Sequence, residues 1–481
     1  MDKDIGVKIG LEIHVQITSL KTKLFCSCPT DYRGKPANIN VCPVCLGLPG
    51  ALPVVNEGAL KKAIMTALAL NCKVNPVVIF SRKHYFYPDL PKNYQITQYA
   101  GAGAPIGTNG YIDIHYEGKT KRIRIRRLHL EEDPGRLVYP GKSIVSSPHV
   151  LIDYNRSGIA LLEIVTEPDM TSPREARLLL DKLRAILEYL EVSDLTLEGA
   201  MRVDANISIT GGERVEIKNI GSISDVEKAL TYEIVRQREI LRRGGEVKRE
   251  TRHWDSLRGV TVTLREKEEE EDYRYFPDPD LPPIVVPEDL VEKIKLALPE
   301  LPDQKAERFM KQYSLSKPIA HTLVLYKKLA DFFEEAVKIH YNPKRIATIL
   351  ITDYLSCLKK HGLKVGEDKA TPEKIAKLVK MVDKGVISVN VAKDLTFRVI
   401  LEGIDPEDEV KKLGLTRIED TEYLMRIVRE VLTEYPKAVE DAKKNPKVIN
   451  FLIGMTMKKS RGRLDPKKVR EAIIKELKLK V

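Results

Sequence analysis

The stretch "LHLEEDPGRL" places three acids side by side, Glu131, Glu132 and Asp133, between a histidine and a Pro-Gly turn. Like charges so close repel and require a positive partner nearby. A second set of polar residues recurs at every other position. In "VKIGLEIHVQI" these are Glu12, His14 and Gln16; in "MRVDANISI", Arg202, Asp204 and Asn206; in "RVEIKNI", Glu216 and Lys218. Any one of these rows could be the wet side of an antiparallel sheet. Wet faces, however, usually carry interchangeable Lys, Glu and Thr, whereas these carry His, Asn, Gln, Asp and Glu, which bind metals or orient substrates. Carboxylates with one imidazole suit a magnesium ion that keeps several waters and meets phosphates.

Four cysteines form another group. Cys26, Cys28, Cys42 and Cys45 follow the pattern C-x-C, thirteen residues, C-x-x-C. Two close pairs across a turn-rich loop make a four-thiolate zinc site, closed and therefore structural. Cys72 and Cys357 stand alone and read as core. Two further stretches mix cations and tyrosines: "SRKHYFYPDLPKNYQITQ", with Arg82, Lys83, Tyr85, Tyr87, Lys92, Tyr94 and Gln95, and "DYRYFPDPDLPP". They suit phosphate contacts and base stacking, or equally a structural loop pinned by tyrosines. "GRLVYPGKS" is one residue too long for a phosphate loop, and "GAGAPIG" lacks dinucleotide spacing. No serine or cysteine has a nucleophile's setting.

The elements that position these residues follow from periodicity. Odd positions Val7 to Ile17 are apolar and even ones polar, the signature of a half-buried strand. In "KRIRIRRLHLEED" the apolar parity flips between Ile125 and Leu128, which predicts a bulge near Arg126–Arg127. Beyond it His129, Glu131 and Asp133 share one face, and Glu132 takes the other. Up to Pro287 short strands alternate with turns, interrupted by two amphipathic helices over 57–70 and 174–190. After 288 the spacing becomes helical. The expected class is α+β: a mainly antiparallel sheet domain with flanking helices over 1–293, a helical domain over 294–406, divided at "LEGIDPEDE", and a small helical tail over 407–481. The acidic run Glu266–Asp272 reads as a solvated loop.

The 481 residues carry a net charge of +11. From Phe451 to Val481 ten Lys/Arg face three Asp/Glu, so that end supplies seven of the eleven charges and points to a nucleic-acid partner. No apolar run follows the first residues and none approaches a membrane span, so the expected location is cytoplasmic.

The segments "GLEIHVQ", "SRKHYFYPDLPKNYQITQ", "HLEEDPGR", "DYNRSGIALLEIVTEPD", "MRVDANIS", "VEIKNI" and "DYRYFPDPDL" closely resemble, in order and spacing, the B subunits of the aspartyl/glutamyl-tRNA amidotransferases of GatCAB type. "NFLIGMTMKKSRGRLDP" is similar to that family's YqeY-like tail. The resemblance implies a cradle-like catalytic domain followed by an RNA-binding tail. It implies a ligase that uses ATP and magnesium to phosphorylate the side-chain carboxylate of Glu-tRNA(Gln) or Asp-tRNA(Asn). Ammonia supplied by a partner amidase, the A subunit, would then give Gln-tRNA(Gln) or Asn-tRNA(Asn), and a small C subunit would complete a heterotrimer. Carried to this chain, Glu12, His14 and the Glu131/Glu132 pair would hold magnesium, with Asp204 and Glu216 as further members. Lys83, Tyr85, Tyr87, Lys92, Tyr94, Gln95, Arg202 and Lys218 would meet ATP phosphates or the aminoacyl end. Two other readings remain at this point: a zinc-containing RNA-binding protein without catalysis, and a stand-alone ligase acting on a small acid.

Overall fold

Strand β1 (Val7–Gln16) is the axis of the sheet, and its alternation is as the sequence requires. Ile9, Leu11, Ile13 and Val15 are buried on one side, while Glu12 and His14 are half-buried on the other. The computed structural model describes residues 6–99, 101, 104–141, 147–266, 273–416, 420–445, 448–460 and 462–477. Beyond Glu266 the acidic run lies outside the described residues, as do Lys142 and Ser143 of the rejected phosphate loop. Two units, Met1–Leu301 and Pro302–Val481, each form a separate compact body.

In the first unit β1 is followed by α1 (Glu57–Ala69), β2 (Lys73–Val74), β3 (Val77–Val78), β4 (Ser81–His84), β5 (Tyr94–Thr97), β6 (Gly107–Tyr116), β7 (Lys119–Glu132), β8 (Arg136–Val138), β9 (Leu151–Asp153) and β10 (Ala160–Thr166). Then come α2 (Pro173–Tyr189), β11 (Met201–Ile209), β12 (Val215–Ile220), α3 (Ile223–Arg242), β13 (Glu250–Asp255), β14 (Val260–Glu266), β15 (Phe276–Pro277), β16 (Ile284–Val285) and α4 (Glu288–Leu296). Nine strands form one sheet in the order β14-β13-β12-β11-β1-β10-β7-β6-β2. All neighbours are antiparallel except β12 and β13, and α3 is the crossover that a parallel pair needs. Helices α1, α2 and α3 cover the apolar face. Each starts on a side-chain cap, Asn56, Ser172 or Ser222, an arrangement that contributes about 1 kcal/mol per helix.

Helices α1 and α2 match the two expected from periodicity to within a residue at each end. Helix α3 was not anticipated. Its inward row, Val226, Ala229, Leu230, Glu233, Ile234 and Gln237, carries two buried polar residues that break the apolar stripe. Arg236, one turn on in the same helix, and Thr261 of β14 both donate to the Glu233 carboxylate, and Gln237 donates to it as well.

Among the described residues the second unit is helical. The stretch Gly403–Glu407 is a tight turn: Gly403, at φ 74°, closes helix Val389–Glu402, and Asp405 caps Pro406–Leu413. Helices Thr421–Glu434, Pro436–Lys444, Ile449–Lys459 and Pro466–Leu477 enclose their own core, including Val428, Leu452, Leu464, Val469 and Ile473. No helix among the described residues is long and apolar enough to cross a membrane.

Candidate active site and cysteine cluster

The polar face of the sheet is assembled by register. β1 places Glu12 opposite Asp204 of β11, and His14 opposite both Arg202 of β11 and Glu163 of β10. Glu163 in turn faces His129 of β7, and Glu131 lies opposite Leu161. The bulge on β7 is present: Val165 opposes Arg127 while Thr166 opposes Ile125, which leaves Arg126 as the extra residue. That extra residue brings His129 and Glu131 onto the face shared with Glu12 and His14.

His14 is the hub. Its Nε2 lies 3.7 Å from Glu12, 3.5 Å from Glu131 and 3.8 Å from Glu163. One donor atom each from Glu12, His14 and Glu163 falls within 4.8 Å of the others, close enough to share a metal ion. Three carboxylates so near one another distort their own titration. Burial, then Glu163, push Glu12 up to about 7. The same two causes raise Glu131. Glu163 goes the other way: burial opposes its charge, but His129, His14, Arg127 and Lys83 outweigh it and hold it at about 2. Arg127 lies 3.2 Å from Glu163. His129 is 3.5 Å from the same carboxylate, and burial pushes its ring down to about 4, so it is neutral at physiological pH.

Lys83, from β4, is the cation these acids face. Burial works against its charge, yet Glu131, Glu163, Tyr273 and Glu12 together raise its pKa. Its ammonium sits 4.7 Å from the centre of the Tyr273 ring and 5.9 Å from that of Tyr85. The two tyrosine-rich stretches are therefore one structure. β15 pairs with β4, the His84 N–H donates to the Tyr273 carbonyl, and Tyr99 stacks on Tyr275 with centroids 4.2 Å apart. Burial first, then neighbouring carboxylates, raise the phenols of Tyr85 and Tyr275.

Other sequence-selected residues are placed differently. Glu132 points to the opposite side of β7. It is buried against Lys92 at 2.5 Å and accepts from the Ile96 N–H, so this pair is engaged with itself and apart from the His14 cluster. Gln95 donates to the Glu132 carbonyl. Thr97, beside them on β5, donates to Glu131. Tyr94 lies under the Arg82 guanidinium, which is paired with Asp278 and Asp280, and Tyr87 is exposed. Arg202 is held by Asp133 at 2.6 Å, and that pairing lowers the Asp133 carboxyl despite its burial. Lys218 stands 3.8 Å from Asp204 and 3.5 Å from Glu216, further along the same face. Glu163, central to the geometry, was not among the residues selected from the sequence.

The four cysteines Cys26, Cys28, Cys42 and Cys45 converge, with all four sulfurs within 4.8 Å of one another. A tetrahedron with metal–sulfur bonds of ~2.3 Å has edges of about 3.8 Å, so the cluster fits a zinc ion. The Lys23 ammonium lies 3.6 Å from the Cys45 sulfur, and with Cys26 as the leading cause it helps hold that thiol down at about 4. Cys72 and Cys357 are buried core residues, as expected.

The model of the GatB/GatE catalytic domain matches residues 7–292, and that of the GatB domain matches residues 331–477. The B subunit of the aspartyl/glutamyl-tRNA(Asn/Gln) amidotransferase of Sulfurisphaera tokodaii is 55% identical over 475 residues, covering 98% of this chain and 100% of that protein. Its counterpart in Saccharolobus solfataricus is 55% identical, covering 98% of this chain and 99% of its own. The counterpart in Thermotoga maritima is 48% identical, with 98% of each covered. With matches of this length and identity on a chain that carries the assembled face, the chain belongs to the family of aspartyl/glutamyl-tRNA(Asn/Gln) amidotransferase B subunits.

Proposed function

We propose that this chain is the ATP-dependent ligase component of a cytoplasmic tRNA-dependent amidotransferase. Its substrates are Glu-tRNA(Gln) and Asp-tRNA(Asn), and its partners are an amidase A subunit that releases ammonia from glutamine and a small C subunit. The observation that carries this reading is the Glu12–His14–Glu163 donor cluster beside Glu131 and Lys83, on the family's catalytic domain.

The chemistry explains why such a face is needed. A carboxylate is a poor acyl donor, and transfer of a phosphoryl group from ATP converts it into one with phosphate as leaving group. Attack by ammonia then forms the C–N bond and releases inorganic phosphate. Phosphoryl transfer depends on positioning and charge neutralisation more than on a protein nucleophile, which accounts for the lack of one. Glu12, His14 and Glu163, with Glu131 alongside, would hold magnesium, and magnesium neutralises phosphate charge and keeps open positions for water and phosphate. The crowding that lifts Glu12 to about 7 is relieved by a divalent cation, so the donor set fits one. Lys83 supplies a fixed cation next to the transferred group, and the Tyr273–Tyr275 segment walls it from solvent. Asp204, Glu216 and Lys218 extend the face toward the aminoacyl end. The four-cysteine loop would hold structural zinc, and the basic helical tail over 407–481 would bind the tRNA body.

The test is reconstitution with the amidase and small partners, ATP, magnesium, glutamine and labelled Glu-tRNA(Gln) or Asp-tRNA(Asn). Amidated product that requires both ATP and this chain is expected. In Glu131→Gln, amidation should vanish while glutaminase activity persists. Full amidation by that variant would defeat the assignment.

A further inference from the structure

We propose that the four-cysteine loop is a brace for the acidic face, so that metal retention at the cysteines and the arrangement of Gln16, Asp133 and Arg202 are coupled. Three separate contacts carry this. The first runs through Tyr32 and Arg33, which lie between Cys28 and Cys42. Arg33 donates to the Gln16 side-chain oxygen at 2.6 Å, and the Tyr32 hydroxyl lies within 3.3 Å of the same amide. At its other end Gln16 donates to Asp133 at 2.7 Å, and Asp133 accepts from Arg202 at 2.6 Å. Gln16 is buried, and both ends of its amide are used, which fixes its orientation.

The second contact is Lys23, a fully buried lysine. Its ammonium touches the Cys45 sulfur, the Asn40 carbonyl at 2.7 Å and the Tyr154 carbonyl at 3.4 Å. The segment after Tyr154 is what holds the acids: Gly158 and Ile159 exchange backbone hydrogen bonds with Asp133, and Arg156 donates to the Pro134 and Gly135 carbonyls. Asn38 and Asn40, also between the cysteine pairs, bond to Asp153 and Asn155. The third contact is Gly47, two residues past Cys45. A side chain there would meet the Lys92 stem at 2.4 Å, and Lys92 is the partner of Glu132. Residues on both sides of Cys42 and Cys45 thus reach the run Glu131–Asp133 by different routes. An ion closing the cysteine pairs fixes all three contacts at once, and removing a contact loosens the ion in return.

The experiment uses the full chain in its complex with both partner subunits. Zinc per chain is measured by elemental analysis, and zinc release to a colorimetric chelator is timed for wild type, Gln16→Ala, Arg33→Met and the double variant. Neither residue touches a cysteine sulfur. One zinc per chain is expected in all four, with release accelerated roughly three- to tenfold in each single variant, below the roughly 10–100-fold typical of groups bonded directly to a metal ligand, because these residues act on the cysteines at one further remove. The double variant should release no faster than the faster single one, and Arg33→Lys, which keeps a donor for Gln16, should restore much of the wild-type rate. Release at the wild-type rate in both single variants, single effects that multiply in the double, or a wild-type chain without zinc would each overturn the brace. The second readout rests on the proposed function: amidation by Arg33→Met should fall about tenfold in kcat with glutamine KM unchanged. A wild-type complex that fails to amidate would count against that function alone, since zinc release still decides the brace.

Discussion

Replacing Glu12 by glutamine should remove ATP-dependent amidation and yet make the magnesium-free chain more stable. In the folded chain burial and Glu163 lift the Glu12 carboxyl from 4.5 to about 7, although its side chain keeps 31% of its exposure. The folded value lies above the unfolded one, so ionisation favours unfolding. The penalty is absent below pH 4.5, grows by about 1.4 kcal/mol per pH unit between 4.5 and 7, and is constant above. Glutamine mimics the protonated acid and escapes it. The expected gain is therefore under ~1 kcal/mol at pH 5 and about 3 kcal/mol at pH 8. The chain has one tryptophan, Trp254, buried on β13, so urea unfolding followed by its fluorescence reports the sheet unit alone. Adding magnesium should reverse the order, because only the wild type gains binding energy from the ion. A variant less stable than wild type at pH 8, or one whose gain is the same at pH 5 and pH 8, would refute this account of the face.

Three further outcomes are expected. Glu163→Gln should lower amidation at least ~100-fold with glutaminase retained, because it removes a donor of the proposed magnesium site and the counter-charge of Arg127 together. Asp133→Asn should cost about 3 kcal/mol in the same urea assay, since it strands the Arg202 cation; the Asp133 carboxyl is depressed in the folded chain, so this cost should fade on acidification below the ordinary carboxylate range. Gly47→Ala forces a side chain into the left-handed region at φ 67° and against Lys92, so thermal melting should show a loss of at least ~1–2 kcal/mol.

Much of the face was legible before the structure. β1 and β11 announce themselves because one side of each is fully apolar and the other fully polar, and the bulge at Arg126 is visible as a slip of parity in β7. Glu163 was not legible because β10, "ALLEIVT", carries Leu161 and Val165 on the polar side, and the alternation that would have singled out the glutamate disappears. The opposite face of Glu132 could be read from parity. Its engagement with Lys92, 40 residues away in the chain, could not, nor could that of Arg202 with Asp133. Pairings of this kind are set by tertiary register and leave no local signature. Helix α3 was hidden for a related reason: its buried row carries Glu233 and Gln237, of which Glu233 takes a donor, Thr261, from β14 while Gln237 donates to Glu233 within the helix.

The central position of β1 has a consequence for synthesis. It is the first of this sheet's strands in chain order, and its two neighbours are β10 and β11, whose last paired residues are Val165 and Ile209. At roughly 5–20 residues per second, about 10–40 s pass between the emergence of Gln16 and that of Ile209. Until Val165 emerges neither edge of β1 can be paired, and until Ile209 emerges the β11 edge stays open, so Ile9, Leu11, Ile13 and Val15 spend the interval in the state most open to aggregation. The polar face accordingly has no nascent form. A ribosome that stops before β11 releases a chain with an adhesive N-terminal strand and no site, and the burden of shielding that strand falls on chaperones acting near the exit tunnel.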